Sequence, residues 1–497
     1  MTTLPQQIQL RCDGSTSPRT GWDARIAHRI AQSAGAVVSF EMTLLLFVFA
    51  GIYKSDPRIA WFPVDWTLFF FGVNVLQAGW IVTRRGFRLP RQGTKLVVIA
   101  ILFVGYAAFS LLWSEGTVYA RQKVLHMALL VLWAMAGCAL IVTSHPERLH
   151  RFLRLLLVFA AWVVLESARF YVQHPGARLI TALGGPGSYL GLGRVVGLGT
   201  LIAFYQFAFV VRKPFARLVM GGLLFAGLVM GVLIGSRGPL IATAISLVPL
   251  IGLALSRRNR NGSRGLIAIG LIGGLLAGIV GVQWHLTTTG RLPGTLMRLT
   301  RFFDEAEHYS ESGASLARWD YLTESARLWS QRPMFGHGIG SFPVLVNGID
   351  ARDYPHNLIA EVASELGLCG LILLAGLLLI AVKPRNVRVG SEADGPENSA
   401  QGLPRPSRWS DAATRCEAGN RSLRLLILML LLHALLNALV SGDIPANRTL
   451  FAMLGLAVMN TDKPSQAVET WTSDQQDCQQ KQRSCAAGSP IDGEGSP

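Results

Sequence analysis

The sequence predicts an all-α polytopic membrane protein. It should have about twelve transmembrane helices and one large loop, containing short helices, on the outer face. Three observations carry this. Hydrophobic residues make up 51% of the 497 and charged residues only 15%, with a mean hydropathy of +0.38, whereas soluble domains carry about 25% charged residues. The apolar residues come in runs of about 20, the length that crosses a hydrocarbon core of about 30 Å. Lys and Arg collect in alternate connections, as they do where basic loops are retained in the cytoplasm.

Residues 1–34 are polar with scattered arginines. They lack the short apolar core and cleavage site of a signal peptide, and read as a cytoplasmic tail. Nine spans follow within 35–284, near 35–53, 64–83, 96–113, 124–143, 152–171, 189–211, 218–234, 239–255 and 265–284. A polar stretch, 285–356, separates them from a tenth span at 357–382. Residues 383–423, rich in Gly, Ser, Pro and charge, read as a flexible cytoplasmic linker. Two more spans are expected within 424–461, near 424–440 and 448–461, and a disordered cytoplasmic tail over 462–497. Basic clusters at Arg84–Lys95, Arg212–Arg217, Arg257–Arg264 and Lys383–Arg408 all fall on one side if both termini are cytoplasmic. The same count places 285–356 and the turns at 235–238 and 441–443 outside.

The formal charge of +16 follows from those basic loops. No nucleic-acid-binding module is present, and no nucleic-acid partner is expected. Six cysteines without CxxC or CxxxH spacing suggest neither zinc nor a disulfide framework. The residues give no sign of a cofactor or a metal site. About twelve spans also suit a transporter, but transporters are built on internal repeats and broken helices near the bilayer centre. No repeat is visible, and the polar residues gather in one outer loop.

That loop departs from the charge rule. It carries Arg291, Arg298, Arg301, Arg318, Arg327, Arg332 and Arg352 but no lysine. A guanidinium is permanently charged and grips phosphate with a planar fork; acidic neighbours such as Asp320 and Glu324 could instead neutralise individual arginines. Residues 315–331 have helical periodicity, with Trp319, Leu322, Ala326 and Trp329 as a stripe suited to the membrane surface or to the span bundle. Gly336-His337-Gly338-Ile339-Gly340 does not follow a strand, which argues against a nucleotide loop. It suits a tight turn returning the chain to the membrane. Pro355-His356-Asn357 then opens a helix, with Asn357 as its cap. That places His356, a side chain able to move protons near neutrality, at the membrane boundary. Asn357, Glu361 and Glu365 share one helix face, and carboxylates at that depth must face protein or water. Arg237, in the turn Gly235-Ser236-Arg237-Gly238, lies at the same surface. Arg194 falls inside a span, where it needs an acidic partner, a phosphate or a route to the surface.

Taken together these residues resemble the O-antigen ligase and O-antigen polymerase superfamily of bacterial inner-membrane proteins. The matching pieces are Leu112-Trp113-Ser114-Glu115, the Ser236-Arg237-Gly238 turn, Arg318 with Trp329, and Arg332-Pro333 leading into the glycine turn. His356-Asn357 with Glu361, Glu365, Gly367 and Gly370 also matches, as does Ser441-Gly442-Asp443 with Asn447. The resemblance implies a metal-independent glycosyltransferase acting on the periplasmic side. Its donor would be a glycan on undecaprenyl pyrophosphate, and its acceptor lipid A-core in a ligase or another lipid-linked glycan in a polymerase. A protein-directed oligosaccharyltransferase is the more distant variant. Arg237 matches the superfamily's turn arginine and His356 its loop histidine. Arg318 is the preferred loop arginine and Arg301 the alternative. Arg301, Arg332, Asn357 and Glu361 are expected to contribute to substrate binding, and membrane lipids are the remaining partners.

Overall fold

The computed structural model describes residues 39–84, 87, 89–174, 188–256, 290, 313–383 and 407–459. The span expected at 265–284, Arg301 and both tails lie outside the described residues. The chain is an all-α polytopic membrane protein. Among the described residues, nine helices are long and apolar enough to cross a membrane.

Helix α1 (Phe40–Tyr53) opens at Ser39, whose hydroxyl accepts the Met42 amide at 3.3 Å. Helix α2 (Trp66–Thr83) opens at Asp65, which accepts the Thr67 amide at 2.7 Å. These are ordinary N-caps that satisfy otherwise orphaned amides. Then come α3 (Arg91–Phe109), α4 (Val118–Ser144, interrupted by two π-turns), α5 (Pro146–Gln173), α6 (Ser188–Tyr205, extended by a π-turn to Val210), α7 (Pro214–Leu233) and α8 (Arg237–Ser256). After the polar stretch come α9 (Gly313–Gln331), the short α10 (Phe342–Asn347), α11 (Leu358–Val382), α12 (Ser407–Ala438) and α13 (Arg448–Ala457).

Four boundaries differ from the sequence expectation, for identifiable reasons. Helix α4 begins six residues before the expected 124, with a polar start in which Tyr119, Ala120 and Lys123 are buried by protein, Lys123 in an ion group with two glutamates. Helix α5 likewise begins at Pro146, with a charged start that hydropathy alone passes over. Helix α12 begins at Ser407, inside the stretch read as linker. Helix α13 has only ten residues, about 15 Å at 1.5 Å per residue. It is therefore too short to cross a bilayer by itself, and packs instead against α12, α4 and α11. Its run Leu450–Leu456 is wholly buried.

Of the two placements open to the α9 stripe, the membrane surface or the span bundle, its tryptophans do not take the bundle. Ser325 and Leu328 are buried and Tyr321 is half-buried, whereas Trp319, Ala326 and Trp329 are exposed. The helix therefore meets α11 through Tyr321, Ser325 and Leu328, and its tryptophans point away from the bundle.

The feature that positions the site is a break in α11. Gly367 has φ +63° and ψ −159°, a conformation open essentially to glycine alone. The break strands backbone groups that membrane interiors cannot hydrate, and the glycine turn takes them up. The Leu368 and Cys369 amides donate to the Pro333 and Met334 carbonyls at 2.8 and 3.2 Å. The Ser364 and Glu365 carbonyls accept the His337 and Gly338 amides at 3.0 and 2.8 Å. The Tyr106 hydroxyl serves the Leu366 carbonyl at 3.1 Å.

Residues 336–340 are all buried, so this turn goes beyond returning the chain to the membrane: it plugs into the bundle. Its far side is held by Ser110 and by Ser114 of the Leu112–Glu115 motif. Ser110 accepts the Ile339 amide at 3.0 Å, and the Ser114 hydroxyl donates to the Ile339 carbonyl at 2.7 Å. Gly338 and Gly340 have φ of +93° and +73° and lie so close to the Ser114 and Ala120 backbones that no side chain fits.

A methyl group at Gly367 would sit 2.5 Å from the Met334 carbonyl oxygen and 2.6 Å from the Gly336 nitrogen. Gly367→Ala should therefore cost at least about 2–3 kcal/mol from backbone strain and clash, and lower the folded yield in detergent. Gly376→Ala, whose nearest neighbour would be Ile99 at 3.7 Å, should leave thermal unfolding unchanged or slightly raised. Equal melting behaviour of the two variants would count against the plugged break.

Candidate active site

His356 stands at the entrance to α11. Pro355 precedes it, and Asn357 caps the helix by accepting the Ile359 and Ala360 amides at 2.9 and 3.1 Å. To fit between them His356 takes φ +59°, and it alone of the non-glycine residues described has a positive φ. Such a conformation costs about 1–2 kcal/mol and tends to mark sites where the surrounding structure imposes it. The ring lies 4.5 Å from the Tyr354 ring and 6.4 Å from the nearly parallel Tyr321 ring. Its Nδ1 is buried without a hydrogen-bond partner. Burial first, and then the charge of Arg318, hold the imidazole below its ordinary pKa, against the smaller opposing pull of Asp353 and Asp443. The lowered pKa keeps the imidazole neutral, the form whose ring nitrogen lone pair is free to accept a proton.

The other expected residues fall into three groups. Arg318, exposed on α9, is close enough to act on His356 electrostatically, and no carboxylate lies within 4.0 Å of it among the described residues. Arg237 begins α8. Its turn packs against Gly193 of α6, and Gly238 abuts Val440. Asn357 donates to the neighbouring Leu439 carbonyl at 3.0 Å. Residues 439–447 thus form a strap, with the Arg237 turn on one side and the His356 turn on the other. Arg332 lies elsewhere, on an apolar groove of about 720 Å³ beside Tyr106, Phe109, Trp113 and Phe335.

Glu361 is fully buried inside the bundle. Glu361 and Glu365 project from one face of α11 onto the Lys123 ammonium, at 2.5 and 2.6 Å, and all three side chains are fully buried. Glu361 also accepts the Ile444 amide at 3.3 Å. These carboxylates face protein, one of the two surroundings expected of them; their partner is a lysine, and neither carboxylate bonds to His356. Of the loop arginines, Arg327 pairs with Glu324 at 2.7 Å. Arg352 grips Asp443 in the strap through Nε at 2.9 Å and Nη2 at 3.1 Å. Asp443 also accepts the Tyr119 hydroxyl at 3.1 Å. Burial alone would raise the Asp443 carboxyl; the Arg352 hydrogen bonds and charge outweigh it and hold it below the usual range. Asp350 caps α4 from the loop, accepting the Thr117 hydroxyl at 2.6 Å and the Val118 amide at 2.8 Å. These bonds draw its pKa down to about 2.

Sequence reading missed Lys123, Tyr321, Tyr354 and Arg448. Lys123 carried a usable signal: one lysine ahead of an apolar run, with two carboxylates four residues apart in a later span. It lies just outside the span expected from residue 124.

Residues 222–375 match the family model of the O-antigen ligases. This part of the chain is an O-antigen ligase superfamily domain. The matched stretch runs from α7 through the break in α11 and contains Arg237, Arg318, Arg332, His356, Asn357 and Glu361. Lys123, Arg194, Asp443 and Arg448 lie outside it. Comparison with curated proteins gave no match. The superfamily is one of glycosyltransferase-like enzymes, and implies a lipid-linked glycan and a glycan acceptor as partners in general terms.

Removing one partner of a buried ion group leaves the others uncompensated, at about 3–5 kcal/mol, whereas replacing the whole group can be nearly neutral. Lys123→Met should therefore sharply reduce thermal stability in detergent. Adding Glu361→Gln and Glu365→Gln to it should recover most of the loss. A triple variant no more stable than Lys123→Met would show that the three charges do not act as a unit.

Proposed function

We propose that the chain is a metal-independent, inverting glycosyltransferase of the O-antigen ligase type. In this reading it acts on the periplasmic side of the bacterial inner membrane, with both termini cytoplasmic. The donor is a glycan on undecaprenyl pyrophosphate, and the acceptor is a hydroxyl of lipid A-core. The observation that carries the reading is His356. It is held strained between two tyrosines, with a depressed pKa and an unpartnered Nδ1, at the end of the bundle where Arg237 and Arg318 also lie.

The acceptor hydroxyl attacks the anomeric carbon from the face opposite the pyrophosphate. The new carbon–oxygen bond forms as the sugar–phosphate bond breaks, and the polyprenyl pyrophosphate leaves with the bonding electrons. His356 takes the hydroxyl proton. Arg237 and Arg318 hold the growing negative charge of the leaving group, where fixed positive charge lowers the barrier most. Their charge is permanent, so no divalent ion is required.

Transfer can be measured in proteoliposomes with lipid-linked glycan and purified acceptor. His356→Ala should lower kcat about 10²–10⁴-fold, the usual worth of a general base, and Arg237→Ala should lower kcat/KM comparably. EDTA should leave the rate unchanged. Normal transfer by Arg237→Ala and His356→Ala, or full inhibition by EDTA, would overturn the assignment.

The pH profile gives an independent check. His356 must be neutral to accept a proton, so activity falls as pH drops through its pKa. Because that pKa is depressed, the acid limb should lie below about 6.5, the ordinary histidine value. Arg318→Gln removes a charge that opposes protonation, so its acid limb should move to higher pH. A limb unmoved by Arg318→Gln would separate that arginine from the base.

A further inference from the structure

Beside the strap lies a second polar cavity, of about 780 Å³, that the matched stretch barely touches. It lies between α1, α4, α6 and the start of α13, and its charged lining is Lys54, Asp65, Lys123, Arg194, Arg352, Asp443 and Arg448, together with His126. Most of these charges are already matched. Lys54 pairs with Asp65 at 3.0 Å, Arg352 with Asp443, and Lys123 with the two glutamates. Arg194 and Arg448 are not: no carboxylate lies within 4.0 Å of either among the described residues. Each spends one donor on a backbone carbonyl, Arg194 Nη2 on Ser441 at 2.8 Å and Arg448 Nη1 on Phe47 at 3.2 Å. A guanidinium has five donors, and the Arg194 Nε is buried without a partner.

Two guanidiniums without a directly paired carboxylate inside a helical bundle are costly, and the cavity that both line calls for an anion. We propose that Arg194 and Arg448 form a phosphate-binding subsite that takes a phosphorylated saccharide. A phosphate dianion compensates both charges and fits the forked donors. The volume lies within the range of about 300–1,000 Å³ typical of ligand sites, and exceeds what phosphate alone would fill, leaving room for attached sugar. The cavity adjoins the reacting position. Arg352 on its wall lies 5.7 Å over the Tyr354 ring, and that ring lies 4.5 Å from His356. The source of the phosphate, the donor pyrophosphate or a phosphate carried by the acceptor saccharide, rests on the transferase reading; the anion site itself does not.

The test uses the full chain in detergent, with inorganic pyrophosphate as probe and thermal unfolding as readout. It is made in an Arg237→Ala background, so that binding at the catalytic arginine does not contribute. Pyrophosphate should raise the Tm of that background protein, and adding Arg194→Gln or Arg448→Gln should abolish the shift. The unliganded Gln variants should be at least as stable as their parent, since an uncompensated charge has been removed; an arginine with a merely structural role would lose stability. Should a Gln variant not fold, Arg194→Lys and Arg448→Lys keep the charge without the fork and should show a reduced shift. Retention of the full shift by all four variants would overturn the proposal.

Kinetics in proteoliposomes, with Arg237 intact, then identify the source. If the phosphate belongs to the donor, Arg194→Gln should raise the donor KM at least tenfold. If it belongs to the acceptor, the acceptor KM should rise by that much, and the effect should vanish with a dephosphorylated acceptor. Both constants unchanged by Arg194→Gln and Arg448→Gln would also overturn the proposal.

Discussion

A helix broken inside a membrane must have its freed amides and carbonyls taken up by other groups, and the rest of this structure depends on how that is done. At Gly367 the α11 ladder is interrupted, and lipid offers no hydrogen bonds in compensation. The segment from Pro333 to Gly338 supplies them, exchanging main-chain bonds with residues 364–369 on both sides of the break. Because the match is made backbone to backbone, the glycine turn has one register relative to α11. That register fixes where α9 ends and where the chain re-emerges as α10. The loop bearing Arg318, Tyr321 and Arg352 is thereby pinned to the helix that begins beside His356.

The second constraint is charge. Lys123, Glu361 and Glu365 form a fully buried group linking α4 to α11, and Asp443 joins the strap to the loop through Arg352 and to α4 through Tyr119. Buried ion groups contribute little net stability compared with well-packed apolar residues, but they penalise any arrangement that separates the partners. Here such an arrangement would be a rotation or slide of α11 relative to α4. The two carboxylates, one turn apart, report on both motions. Their role is to hold α11 in place, which explains why neither touches His356.

Much of the fold was legible because hydropathy is a strong signal for long apolar helices. What was missed shares one cause. Hydropathy scores a residue for lipid, yet α4 and α5 both start on polar residues, among them the buried Lys123, so the true helix starts fell outside the apolar windows. Arg448–Ala457 failed in the opposite sense: apolar enough for a span, it is buried by neighbouring helices and needs no bilayer length. At the site, His356, Asn357 and the glycine turn could be placed from local chemistry, since Pro, Asn and Gly dictate backbone shape. The partners of Glu361 and of Asp443 could not, because pairing across more than 200 residues for Lys123, or about 90 for Arg352, leaves no local trace.

The distribution of the site along the chain follows from the same physics. The stretch that matches the ligase family carries His356 and the proposed arginines, but the lysine that fixes its last helix comes from α4, and the strap between the Arg237 and His356 turns comes from after α12. The transfer proposed for the chain needs rigid reacting groups beside an open path for its partners. Holding His356 in a strained backbone requires restraint from several directions, and no single hairpin provides that. The break in α11 restrains it from within the matched stretch, Lys123 from before it, and the strap from after it. The charge left uncompensated, on Arg194 and Arg448, lies where the three regions meet around a cavity, so the least satisfied groups of the bundle face the space a substrate would fill.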